Sequence, residues 1–78
     1  MVKSVEITTH NVARGALRDF IEGKKNLNWV VGMIRSAGVR GPRLVGVFKN
    51  LKDYVKDYGD TARYDEALAA CREQGWLD

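Results

Sequence analysis

With 78 residues the chain has room for one small domain, and a domain of this size buries only about 60% of the surface its unfolded chain exposes. Its single cysteine, Cys71, excludes an internal disulfide and a cysteine-based zinc site. A net charge of +3 and a pI of about 9.2 imply no partner by themselves, but the charge is unevenly spread. Residues 24–52 carry seven Lys or Arg and no Asp or Glu, whereas residues 53–78 carry three bases and seven acids. Such a split makes a dipolar molecule that steers anionic partners to one side.

No apolar run approaches the roughly 20 residues needed to cross a bilayer. Met1 to His10 also lacks the apolar core of a secretory signal. The expectation is a cytoplasmic protein without membrane association.

In chain order, Met1–Thr9 is ambiguous. Val5 and Ile7 alternate with polar neighbours, a short strand pattern whose best partner is Leu44–Phe48. Asn11–Lys25 reads as a helix. Ala13, Ala16, Leu17, Phe20 and Ile21 recur at i, i+3, i+4, i+7 and i+8, which makes one apolar stripe. Asn11 is a candidate cap for its start, and Lys24 and Lys25 suit its C-terminal dipole.

Leu27–Ala37 is the second helix, capped by Asn26 or Asn28, with Leu27, Val30, Val31 and Ile34 on one face. Arg35 is its only charge, so it is expected to be the most buried of the helices. Gly38 suits a left-handed stop, with Val39 packing back on Ile34. Pro42 suits the first position of a third helix. There Leu44, Val47, Phe48, Leu51, Val55 and Tyr58 keep helical period for almost four turns, and Gly59 ends the run. Asp60 or Thr61 caps a last helix with Tyr64, Ala67, Leu68 and Cys71 inward. Gly75 closes it, and Trp76 folds back over Cys71.

The sum is an all-α, mainly α domain over residues 1–78: four short helices in a compact orthogonal bundle, with a short N-terminal strand left open. The alternative is an α+β fold with strands near 2–8 and 43–48.

Catalytic chemistry finds little to stand on. His10 and Cys71 make a nucleophile pair only if folding joins them, and a buried free cysteine normally acts as a small hydrophobe. Asp53, Asp57 and Asp60 lack the spacing of a calcium loop. The run GVRGPR at 38–43 lacks the spacing of a phosphate loop and a following Lys-Ser/Thr. The reading is a non-enzyme with no cofactor and no metal.

The basic half remains. Ile34, Gly38, Val39, Leu44 and Val47 follow the order of a buried helical residue, a turn glycine, an apolar residue and two buried positions in the next helix. On these residues the segment 28–50 resembles a helix-turn-helix DNA-binding motif. The resemblance implies that Arg40 and Arg43, at the start of the inserted helix, contact phosphates or a guanine edge. Asn50 is the amide on that helix within reach of the same face. Lys24, Lys25, Lys49 and Lys52 would hold the backbone, and Arg35 completes the set. Such contacts give salt-dependent affinity with little sequence information.

The same residues admit another partner. Trp29, Trp76 and three tyrosines beside a basic face suit an acidic protein surface, since aromatics and Arg dominate interface hot spots. That describes an inhibitor, an adaptor or an assembly factor. It also describes a homodimer in which the basic centre meets the acidic tail of a second copy.

Overall fold

Four segments of helical period become four helices in a computed structural model: α1 (Val2–Ile21), α2 (Leu27–Ala37), α3 (Pro42–Tyr58) and α4 (Thr61–Glu73). The structure describes the backbone of residues 2–58 and 61–77, and side chains within 9–57 and 61–77. No strand occurs among the described residues, so the alternative with strands near 2–8 and 43–48 is corrected: both stretches are helical.

The N-terminal ambiguity resolves by continuity. Val2, Val5, Thr9, Ala13 and Ala16 are spaced by three or four residues, which extends the stripe of the following helix backwards. The cooperative gain of prolonging a formed helix outweighs the few tenths of a kcal/mol that each β-branched residue costs. Asn11 is therefore an interior residue of α1 rather than its cap, and His10 lies mid-helix.

The other end of α1 comes earlier than Lys25. Gly23 has φ 82°. Its N–H donates to the Phe20 carbonyl at 3.0 Å, and the Lys24 N–H donates to the Asp19 carbonyl at 2.9 Å. These two bonds form a Schellman stop that satisfies otherwise orphaned carbonyls. Lys24 and Lys25 consequently lie in the turn between α1 and α2.

The other helix signals hold. Asn26 caps α2 by accepting a hydrogen bond from the Trp29 N–H at 2.8 Å. Gly38, at φ 73°, ends α2 with its N–H shared between the Ile34 and Arg35 carbonyls. Pro42 is the first residue of α3. Gly75 repeats the Schellman geometry at the end of α4, where the Trp76 N–H donates to the Cys71 carbonyl at 3.1 Å. Gly59 and Asp60 lie outside the described residues, and Thr61 is the first helical residue of α4 rather than its cap.

The core gathers from all four helices. Ala13, Ala16, Leu17, Phe20 and Ile21 of α1 are buried, as are Val30 and Ile34 of α2. From α3 come Leu44, Val47, Phe48, Leu51 and Val55, and from α4 Ala67 and Cys71. The expectation that α2 is the most buried helix is corrected, because α2 buries only those two residues. The central element is α1, which packs against each of the other three. At 1.5 Å per residue α1 is about 30 Å long, in a molecule whose longest dimension is 37 Å. Among the described residues α2 and α3 do not pack on each other; α1 and α4 bridge them.

The C-terminal tail completes the packing. Trp76 and Leu77 are buried, and the Trp76 carbonyl accepts from the Gly41 N–H at 2.7 Å. The tail thus ties the end of α4 to the turn that launches α3. Arg63 makes a second tie, donating to the Phe20 carbonyl at 3.1 Å with its guanidinium over the Phe20 ring.

Candidate functional site

The candidate nucleophile and metal ligands come first. Cys71 is 1% exposed, and burial pushes its thiol up to about 11 from 9.0. A thiol kept protonated packs as a small hydrophobe and is a poor nucleophile. Among the described residues no group of three His, Cys, Asp or Glu side chains stands close enough to hold a metal ion.

The buried thiol has a measurable consequence. Below its unfolded value the thiol is protonated in both states and costs nothing. Between about 9 and about 11 the unfolded chain gives up the proton while the folded one keeps it, so stability falls as pH rises. That displacement corresponds to about 2–3 kcal/mol lost across the window. Tyr64, raised by burial and then by the Asp65 charge, adds to the alkaline loss. Denaturant unfolding at pH 8 and pH 10.5 is expected to show a smaller loss for Cys71→Val than for the wild type. Equal losses would mean that the thiol meets no resistance to ionising.

The cations of residues 24–52 occupy different neighbourhoods. Lys24 pairs with Glu22 at 3.0 Å. Glu22 accepts a further hydrogen bond from the Tyr54 hydroxyl, and these two partners, Tyr54 first, lower its carboxyl. Lys24 is raised in return by its bond to Glu22. Lys25 lies over the Trp29 ring, 5.1 Å from its centroid. Arg35 donates to Gln74 Oε1 at 2.9 Å and covers the Trp76 ring. It sits on the C-terminal tail, not beside the turn lysines.

Arg40 and Arg43 are exposed on either side of Gly41 and Pro42, where α3 begins. Asn50 lines a shallow groove between α1 and α3 with Arg14, Arg18, Leu51 and Tyr54. Of the two tryptophans, Trp76 belongs to the core and Trp29 is half-buried.

Lys49 and Lys52 come together on another face. Val45, Lys49, Lys52 and Lys56 recur at i, i+4, i+7 and i+11, and so share one side of α3. Opposite them on α4 stand Tyr64, Leu68 and Arg72. Between the two helices runs a groove of two adjoining hollows, about 350 and 250 Å³, which share Lys52 and Tyr64.

Phe48 and Tyr64 hold its walls in place. Their rings meet edge to face with centroids 5.5 Å apart, and the Tyr64 hydroxyl donates to the Phe48 carbonyl at 2.9 Å. The smaller hollow is lined by Lys49, Lys52 and Arg72 and, among the described residues, by no carboxylate. Among the described carboxylates, Asp53 and Asp65 enter at the end near the α3–α4 connection. None of Lys49, Lys52, Lys56 or Arg72 forms an ion pair with a described carboxylate.

Lys56 and Arg72 are the groove residues that the sequence reading missed, because both were counted with the acidic C-terminal third. The Lys49–Lys52–Lys56 spacing would have revealed the first. The second depends on how α4 docks and leaves no trace in local sequence.

No helix among the described residues is long and apolar enough to cross a membrane. Comparison with family models, with curated proteins and with solved structures finds no match to this chain.

Proposed function

We propose that the chain is a non-catalytic binding module whose ligand is a nucleic acid, held mainly through its phosphates. The observation that carries the reading is the groove between α3 and α4, where Lys49, Lys52 and Arg72 surround a hollow that no carboxylate among the described residues lines. Exposed cations that lack an ion-pair partner have no attraction to give up when they meet a phosphate. Arg40 and Arg43, exposed at the start of α3, extend the positive region in the helix-turn-helix-like order of α2, turn and α3. A reducing compartment such as the cytoplasm agrees with one unpaired thiol.

The test is a titration of labelled mixed-sequence DNA and RNA at 50 and 200 mM salt. The three phosphate contacts of Lys49, Lys52 and Arg72 predict a loss of roughly 20- to 40-fold in affinity across that range, the larger figure for a duplex. The double variant Lys49→Glu/Lys52→Glu is expected to weaken binding by at least about ten-fold, with unchanged helicity, because both side chains are exposed. Absence of binding to any nucleic acid at 50 mM salt would refute the reading. Capture of poly-glutamate under the same conditions would assign the groove to an acidic protein partner instead.

A further inference from the structure

We infer that the nucleic acid taken by this groove is single-stranded, with its backbone gripped from both walls by Lys49 and Lys52 on α3 and Arg72 on α4. The inference rests on the nucleic-acid reading above and narrows it to one ligand class.

Three features of the surface favour a single strand. The first is where the cations stand. Lys49 and Lys52 occupy one wall and Arg72 the other, so the positive charge lines an inward-facing channel. A single backbone lies between two such walls. A duplex is a convex cylinder that rests on the rim and reaches one wall at a time.

The second feature is the floor. Val45 is 37% exposed, and Leu68 and Leu77 line the same hollow. The outer surface of a duplex is phosphate and sugar with its bases stacked inside, so an apolar floor has nothing to pack against there. The bases of a single strand are unstacked, and their faces lose water when they settle on apolar or aromatic side chains.

The third feature is the face of α3 that would have to enter a duplex. Gly46, Asp53 and Asp57 fall between the lysine side and the Asn50–Tyr54 side that borders α1. Asp53 and Asp57 are exposed. Inserting that face into a major groove would set two carboxylates between two phosphate backbones. Lying along the α3–α4 groove, a strand meets Asp53 and Asp65 only at one end, and its phosphates are held at the other.

The experiment compares a single-stranded oligonucleotide with a duplex of the same length and sequence, using the wild-type chain and Arg72→Gln. The expected result is at least about ten-fold tighter binding of the single strand at 100 mM salt. Arg72→Gln should weaken the single strand several-fold and make its salt slope shallower by about 0.7, as for one lost contact. It should weaken the duplex less than the single strand, because a duplex reaches one wall at a time. Equal or tighter binding of the duplex overturns the inference while the nucleic-acid reading stands. A single-strand preference that ignores Arg72→Gln also overturns it, because the strand then lies elsewhere. If neither form binds, the underlying reading fails and the inference falls with it.

Discussion

Leu17→Ala is expected to cost about 3–5 kcal/mol of folding stability. Leu17 is fully buried, and it lies mid-stripe on α1, the one helix that packs against all three others. Truncation removes the transfer free energy of the lost carbons and leaves a cavity whose walls cannot close in from one side. A domain of this length has about 4–12 kcal/mol to lose, at the usual stability per residue. The substitution therefore consumes a large part of the margin, and each kcal/mol lowers Tm by about 4–8 °C in a domain this small.

Chemical denaturation followed by helical circular dichroism measures the loss. Val12→Ala, on the same helix but 36% exposed, serves as control and should stay within about 0.5 kcal/mol of wild type. A Leu17→Ala loss below about 1 kcal/mol would show that α1 is not the hub of the core.

Leu17 also shows where the sequence is informative. Ala13, Ala16, Leu17, Phe20 and Ile21 are all buried, because spacing alone puts them on one side of any helix. The stops at Gly38 and Gly75 were legible for a comparable reason: a left-handed residue after an apolar helical run has few other uses. Gly23 offered the same signal, yet the two lysines after it looked like the natural end of a helix. The error at the N-terminus had a different source. Over a few residues, alternating β-branched side chains satisfy a strand pattern and a helix pattern equally, and only the longer stripe that follows decides between them.

The candidate site was less legible than the core, and the reason is geometric. A run of like charge in sequence becomes a patch in space only along one helix face, at steps of three or four residues. Lys49 and Lys52 meet that condition, and Lys56 continues the row. Lys24 and Lys25 lie beyond α1, in the turn where Glu22 and Trp29 engage them. Arg35 is bound to the C-terminal tail. A face that mixes cations from α3 and α4 exists only after the two helices dock through Phe48 and Tyr64, so no count along the chain contains it. The total of acids and bases in residues 53–78 concealed Arg72 for the same reason.

Trp76→Ala carries the second large effect, and it bears on both core and groove. Trp76 is 8% exposed; its N–H closes the Schellman stop of α4, and its carbonyl accepts from Gly41 just before α3. The ring also lies under the Arg35 guanidinium. Replacing the indole by a methyl group removes most of the apolar area that holds the tail down, at an expected cost of about 3–5 kcal/mol. The backbone bonds need no side chain, but they lose the packing that shields them from water.

Two readouts separate this loss from a generic core defect. Cys71, whose carbonyl receives the Trp76 N–H, owes its raised thiol to burial. Loosening the tail should draw the thiol back toward its ordinary value and speed its reaction with a disulfide reagent under native conditions. Leu77 lines the groove, so Trp76→Ala should also weaken single-strand binding at temperatures where the variant remains folded. Trp76→Phe keeps an aromatic ring under Arg35 and is expected to recover about half of the lost stability, an aromatic-for-aromatic exchange being milder than truncation. If Trp76→Ala unfolds at the same denaturant concentration as wild type, with its thiol no more reactive, the tail does not tie α4 to the start of α3. The groove would then depend on the Phe48–Tyr64 contact alone.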